Sequence, residues 1–291
     1  MKPAAFDYHR ATSIEHACEL LAREGDDAKI LAGGQSLIAA MNFRLARPKV
    51  LIDVSHIEHG NRIDERPAGL EIAATTTQRY AERHPALRRR LPVLAEAIAH
   101  IAHFQIRNKG TVGGSIVNAD PASELPAMTL LLDAELSLQS ASGRQVVPAE
   151  EFFITYMTTM LQPDEMLTSI SFKEPPAGSG WGFHEVARRA GDFALAGSSA
   201  VIGLDDGGRC AYARVVLFGV AATPVRAAEV ETMLLGQPGS AELFSAAARA
   251  VQGSIDPESD VHVTEQYRRD VAEVLTARAL QDAFDRALVS A

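Results

Sequence analysis

Residues 29–37 read Lys29-Ile30-Leu31-Ala32-Gly33-Gly34-Gln35-Ser36-Leu37, a short apolar run broken by a glycine pair. Lys29 to Ala32 is a strand candidate, and Ser36 can cap a helix through Leu37, Met41 and Leu45. Pro48 helps close that helix, and Val50-Leu51-Ile52-Asp53-Val54 supplies the next strand. The stretch therefore predicts a compact β–turn–α–β unit with glycine at the strand-to-helix corner. Such a corner gathers backbone N–H groups at short range with no Cβ in the way, and glycine permits the positive φ angles required. The following helix points its N-terminus at the same place, which favours an anion. A pyrophosphate suits that chemistry, and the Ser36 hydroxyl adds a donor without adding charge.

Upstream, Ser13 to Arg23 is a helix with Ile14, Ala17, Cys18 and Leu21 on one face. Downstream, Gly69 to Thr77 is a strand, Tyr80 to His84 a short helix, and Pro92 to His103 a longer helix striped by Leu94, Ile98 and Ile101. A second glycine pair follows in Asn108-Lys109-Gly110-Thr111-Val112-Gly113-Gly114-Ser115, expected as a loop flanked by the Thr111 and Ser115 hydroxyls. Neither pair fits the glycine spacing of Rossmann or Walker-type sites. One such pair is usually an ordinary turn; two in one region, each with a hydroxyl beside it, point to a shared ligand.

Pro121 to Leu132 is the next helix, with Ser123 or Asp120 as its cap, and Ala134–Gln139 with Arg144–Val147 form a hairpin. Glu174-Pro175-Pro176-Ala177-Gly178-Ser179-Gly180 marks a domain boundary. Beyond it, 183–188, 196–204 and 211–220 are strands, with Asp205-Asp206-Gly207-Gly208 a tight turn. Helices follow from Arg226, the longest from Glu265 to Leu288. The fold class is α+β, with the second domain's strands before its helices.

The chain has 291 residues, 47% hydrophobic and 22% charged, as in soluble globular proteins. A net charge of −9 argues against nucleic acid as a partner, and Arg88-Arg89-Arg90 is read as a solvated helix end or turn. No run approaches the ~20 apolar residues of a membrane span, and residues 1–7 lack the apolar core of a signal peptide. A cytoplasmic location is expected for two cysteines, Cys18 and Cys210, that have no CxxC partner. Two cysteines also fall short of the ligands an iron–sulfur cluster needs, so redox chemistry here requires an organic cofactor. His100 and His103 stand at i, i+3 without a third ligand, and Glu150-Glu151 reads as a solvated turn, so neither a metal nor a catalytic residue is assigned.

The sequence resembles the FAD-binding medium subunits of the molybdenum hydroxylases, the xanthine dehydrogenase and carbon monoxide dehydrogenase family. The likeness is carried by residues 32–37, 107–114, Ala119-Asp120-Pro121-Ala122-Ser123-Glu124-Leu125-Pro126, 188–194 and Tyr267-Arg268-Arg269, over essentially the whole chain. It implies a vanillyl-alcohol-oxidase (PCMH)-type FAD-binding domain over 1–176, in subdomains of about 1–57 and 58–176, and a C-terminal α+β domain over 177–291. It implies noncovalent FAD, since Gln35 replaces the histidine of several relatives. The pyrophosphate would lie on Ala32, Gly33, Gly34, Gln35, Ser36 and Leu37 and on Thr111, Gly113, Gly114 and Ser115. Ala102 and Ile106 would lie along the cofactor, Asn118 and Asp120 near its ribityl or phosphate region, and Glu124 at the adenosine ribose. Met166 and Leu167 would pack near the adenine. Phe193 would sit by the isoalloxazine, unless it is a plain core aromatic. Many relatives carry a Lys near the positions of His184 and Glu185, which leaves that contact to the flavin open.

The resemblance further implies an oxidoreductase heterotrimer. A small subunit would carry the 2Fe-2S clusters and a large subunit the molybdenum cofactor and the hydroxylation. This chain would pass electrons from the clusters to NAD, a quinone, a cytochrome or oxygen. Two alternatives stand beside it: a self-sufficient flavin oxidoreductase on the same fold, and an assembly subunit without flavin.

Overall fold

The computed structural model describes residues 2–57 and 60–290. Glu58 and His59, at the expected seam between subdomains, lie outside the described residues, as do Met1 and Ala291. The first unit runs β1 (Asp7–Arg10), α1 (Ile14–Glu24), β2 (Ala28–Leu31), α2 (Leu37–Asn42) and β3 (Val50–Asp53). Its strands are parallel in the order β1-β3-β2, and β3, covered on both faces, is buried along its length. Ser13 caps α1 by accepting from the His16 N–H at 3.1 Å, and Ala17, Cys18, Leu20 and Leu21 pack into the core below.

The β–turn–α–β unit forms as expected, with two differences at α2. The Ser36 hydroxyl makes no capping bond, because its backbone is already helical (φ −90°, ψ −48°) rather than extended. The helix ends at Asn42, since Arg44 turns to φ 59°, and Leu45 is left 84% exposed.

The second unit opens with β4 (Ile63–Arg66) and β5 (Gly69–Ala73). Six helices follow: α3 (Gln78–Arg83), α4 (Pro85–Arg90), α5 (Pro92–His100), α6 (Phe104–Arg107), α7 (Val112–Asn118) and α8 (Glu124–Leu131). The unit closes with β6 (Glu135–Gln139), β7 (Arg144–Pro148), α9 (Ala149–Phe152), β8 (Phe153–Thr155), β9 (Thr158–Thr159) and β10 (Met166–Lys173). Five of these strands make an antiparallel sheet, β4-β5-β10-β6-β7. Leu70, Ile72, Leu136, Leu138 and Ile170 from the sheet share one core with Leu94, Ile98, Leu125 and Met128 from the helices. Every residue of α8 is buried, so it shows no polar stripe, and it starts at Glu124 rather than at Pro121.

Residues 112–115, expected as a loop, are the first turn of α7. Thr111 has an extended backbone and its hydroxyl accepts from the Gly114 N–H at 3.1 Å, a working N-cap. The intrinsic cost of glycine in a helix is outweighed here by packing. A Cβ on Gly113 would lie 2.4 Å from the Ala74 Cβ, so only glycine lets α7 approach this closely. The α5 helix stops at His100, short of His103, because Ala102 takes φ 42°. Glu150 and Glu151, expected in a turn, lie in α9, and Glu150 pairs with Arg226. The Arg run does end a helix, α4, where Arg89 reaches Glu65 at 2.8 Å.

The third unit is an antiparallel sheet, β11 (Gly180–Ala187), β12 (Ala194–Leu204), β13 (Cys210–Phe218) and β14 (Val225–Arg226), in sequence order. After it come α10 (Ala228–Leu234), α11 (Ala241–Ala250) and α12 (Glu265–Ser290). Ala272, Leu275, Ala279, Leu280 and Ala283 of α12 join the sheet's own core. Phe183, Val216 and Phe218 face the other way and complete the core of the second unit. Cys18 and Cys210 are both buried and free. Among the described residues no helix is long and apolar enough to cross a membrane.

Candidate functional site

The turn between β2 and α2 is held open by its own sequence. Gly34 has φ 71°, a conformation that favours glycine. A Cβ on Gly33 would lie 2.3 Å from the Lys109 carbonyl oxygen, so the missing side chain is what lets this turn touch the chain leading into α7. The two glycine segments are thus brought together in space. Within the described residues, no hydrogen bond uses the N–H groups of Gly33, Gly34, Gln35, Ser36 or Leu37. The Gln35 side chain folds back and donates to the Gly33 carbonyl at 2.8 Å. A cleft of about 550 Å³ opens here, lined by residues 31–35 together with Ile38, Asn42, Asp53 and Lys109.

The second segment is arranged differently. The Val112 N–H donates to the Thr76 carbonyl at 2.8 Å and the Gly113 N–H to the Ala74 carbonyl at 2.9 Å, while Gly114 is taken by Thr111. Its backbone donors are therefore spent inside the fold. What it offers is a face without bulk, the exposed Gly114 beside the half-buried Ser115 and Asn118. An anion at this junction would be held mainly by the first turn, with the Ser115 hydroxyl and the Asn118 amide reaching in from α7.

Further along, Ala102 stands in its left-handed corner between α5 and α6. Arg107 fixes that corner, donating to the carbonyls of Ile101 (2.6 Å) and Ala102 (3.0 Å), and is itself held by Glu82 at 3.0 Å. Burial raises the Glu82 carboxyl, but hydrogen bonds from Arg79, at 2.8 Å, and Arg107 outweigh it and hold the pKa below its usual range. Gly191, in the turn from β11 to β12, lies against the Ala102 carbonyl, which sets that turn beside the corner. Phe193, on the same turn, is 57% exposed, and Ile106 is 36% exposed, so neither is a core residue. Met166 and Leu167 are placed otherwise: both side chains are buried at the start of β10, in the first and second cores respectively.

Asp120 and Glu124 flank the short link from α7 to α8. The Asp120 carboxylate accepts from the Ala122 N–H at 2.9 Å, and burial raises its pKa. Glu124 is only 4% exposed, and burial pushes its carboxyl up to about 8. The charge of Glu185, on β11, adds to that rise, and its Oε1 meets His100 Nδ1 at 3.0 Å. Sequence reasoning had no means of pairing His100 with Glu185 or Arg107 with Glu82, since neither spacing belongs to a helix or strand period. His184 instead faces α12, with Nε2 3.0 Å from Asp282. No group of three or more His, Cys, Asp or Glu among the described residues is placed to hold a metal.

Residues 4–174 match the FAD binding domain in molybdopterin dehydrogenase, and residues 181–283 the CO dehydrogenase flavoprotein C-terminal domain. The chain is 40% identical over 287 residues to 6-hydroxypseudooxynicotine dehydrogenase complex subunit alpha of Paenarthrobacter nicotinovorans, covering 99% of this chain and 97% of that one. It is 35% identical over 286 residues to the carbon monoxide dehydrogenase medium chain of Hydrogenophaga pseudoflava, covering 98% and 99%. A solved carbon monoxide dehydrogenase of Hydrogenophaga pseudoflava that lacks the Mo-pyranopterin moiety superposes with a TM-score of 0.95 at 37% identity, covering 98% of this chain and 99% of that one. Quinoline 2-oxidoreductase from Pseudomonas putida 86 gives a TM-score of 0.94 at 32% identity, covering 99% and 100%.

Proposed function

The chain belongs to the FAD-binding family of the molybdopterin dehydrogenases, completed by the CO dehydrogenase flavoprotein C-terminal domain, and from that premise we propose that it is the flavin-carrying medium subunit of a heterotrimeric molybdenum hydroxylase. The observation that carries this reading is the row of free N–H groups from Gly33 to Leu37, opened by glycine against Lys109. Few ligands need so many converging neutral donors, and a dinucleotide pyrophosphate is one. The C-terminal domain, proposed as residues 177–291, completes the FAD domain of residues 1–176 by lending Phe183, Val216 and Phe218 to its core.

In this reading FAD is held noncovalently. Ala32 to Leu37 bind the pyrophosphate, and Thr111, Gly113 and Gly114 shape the opposing wall from which Ser115 and Asn118 donate. Ala102, Ile106 and Phe193 border the flavin end, Asp120 lies near the ribityl or phosphate region, and Glu124 meets the adenosine ribose. Met166 and Leu167 support the adenine end from within β10. Bound FAD supplies an organic electron carrier, and the protein supplies its position, its hydrogen bonds and its exclusion of water. No residue of this chain has to act as a general acid or base on the substrate. Electrons arrive from the 2Fe-2S clusters of a small partner, the molybdenum cofactor sits on a large partner, and NAD, a quinone, a cytochrome or oxygen accepts them in the cytoplasm.

Purification settles the matter. The expected result is a yellow complex in which this chain co-purifies with a cysteine-rich small subunit and a large molybdenum subunit. A yellow chain that turns over substrate without either would favour the self-sufficient oxidoreductase. A colourless chain in a fully assembled, active complex would favour the assembly subunit.

A further inference from the structure

We propose that His100, Glu124 and Glu185, gathered where α5, α8 and β11 meet, form a proton-holding site that takes up one proton from solvent when the bound FAD accepts an electron pair. The proton is released again when FAD is reoxidised. The inference rests on the FAD reading above, with the electrons coming from the one-electron carriers named there.

Three elements converge at the seam between the two domains. His100 ends α5, two residues before the Ala102 corner; Glu124 opens α8, just after Asp120; Glu185 precedes the turn that carries Phe193. The His100–Glu185 contact of 3.0 Å bridges the FAD domain and the C-terminal domain. The Glu185 side chain is 7% exposed, and its second oxygen is buried with no hydrogen-bond partner. The Glu124 carboxyl takes no side-chain partner among the described residues and is 4% exposed. Phe183 packs on the His100 ring at a centroid distance of 5.0 Å, and Phe218 stacks behind it at 5.8 Å.

The charges facing this cluster are lopsided. Glu96 on α5 lies 3.7 Å from His100 Nε2, and Asp120 faces Glu124 from the α7–α8 link. No Lys or Arg among the described residues bonds to His100, Glu124 or Glu185. Two buried carboxyls cannot both ionise beside one imidazole without a large penalty, so one of them keeps its proton. The hydrogen bond to Glu185 raises the His100 pKa, so the imidazole at this seam favours its charged form. Burial, opposed by a hydrogen bond from its own backbone N–H and reinforced by the charge of Glu185, leaves Glu124 as the proton carrier, titrating at about 8. Negative charge arriving on FAD held against Glu124 raises that value further, so proton uptake accompanies reduction wherever Glu124 is already partly ionised.

The test is a redox titration of the FAD-loaded full chain from about pH 6 to about pH 10. Above pH 8 the midpoint potential should fall by up to about 30 mV more per pH unit than in Glu124→Gln, the two-electron equivalent of one proton. Glu185→Gln removes a like charge from Glu124 and should move the onset of that extra slope to lower pH. Glu242→Gln, exposed on α11, should change neither. Equal slopes in the parent chain and Glu124→Gln, both holding FAD, overturn the proton site and leave the FAD reading standing. If Glu124→Gln does not retain FAD, an unmoved onset in Glu185→Gln overturns it instead. A chain that takes up no FAD overturns both.

Discussion

A methyl group on Gly33 would have to displace the Lys109 carbonyl, which lies 2.3 Å from where its carbon would sit. Gly33→Ala should therefore push the two glycine segments apart and weaken FAD binding at least about tenfold, a loss of roughly 1.4 kcal/mol. Equilibrium dialysis of FAD against the variant reads this, with circular dichroism confirming that the fold is kept. Phe193, 57% exposed on its turn, is expected to shield the flavin from water and oxygen. Phe193→Ala should alter flavin reoxidation kinetics in stopped flow while leaving FAD affinity close to unchanged; lost FAD with unaltered kinetics would place it elsewhere. Glu124 makes a third case. Its carboxyl moves from an ordinary 4.5 up to about 8 on burial, so the folded chain prefers it protonated. That preference adds stability fully below pH 4.5 and loses it as pH rises through about 8. Glu124→Gln should thus be more stable than the parent in urea at pH 9, with the gap closing towards pH 5. These glycines and acids are visible in the sequence as types. Which neighbour each one meets is not, because Gly33 meets Lys109 only across a folded turn.

At the scale of elements, patterning read the regular pieces and misread the second glycine pair. The parallel β2–β3 pair, the β6–β7 hairpin and the long α12 follow from apolar periodicity and turn residues alone. Residues 112–115 look like a loop because two adjacent glycines lower helix propensity. They form the start of α7 because the Thr111 hydroxyl caps it and Ala74 leaves room for nothing larger than glycine at 113. Gly113→Ala should accordingly destabilise the chain by about 1–3 kcal/mol through overpacking, even though alanine is the better helix former. A urea midpoint that rises instead would show that α7 can shift without cost. The short α2 carries the reverse lesson. Its sequence allows one more turn, yet the left-handed Arg44 ends it early.

Across the whole molecule, the joint between the two domains is ionic at one end and apolar at the other. Arg226 on β14 bonds Glu231 at 2.9 Å, pairs with Glu150 of the FAD domain and lies 3.6 Å from Asp133. Arg214 on β13 meets the same Asp133 at 3.0 Å. Glu231 is 5% exposed, so removing its arginine leaves a buried charge served only by Arg214 at 3.8 Å and by the Val215 N–H at 3.0 Å. Arg226→Ala should cost about 2–3 kcal/mol, below the full loss of a buried pair because part of Glu231's coordination survives. Differential scanning calorimetry should then show the C-terminal domain loosening first; a single unchanged transition would mean that the apolar seam alone holds the joint.

The sequence by itself determined the α+β class, the shortage of cysteines for iron–sulfur ligation and the glycine corner after β2, because each rests on local spacing or a residue count. Only the tertiary structure decided that the first glycine segment keeps its donors free while the second spends them. It also decided that His100 meets Glu185 beside a buried Glu124. Hydrogen-bond partners and burial are set by residues far apart in the chain, and no period in the sequence records them.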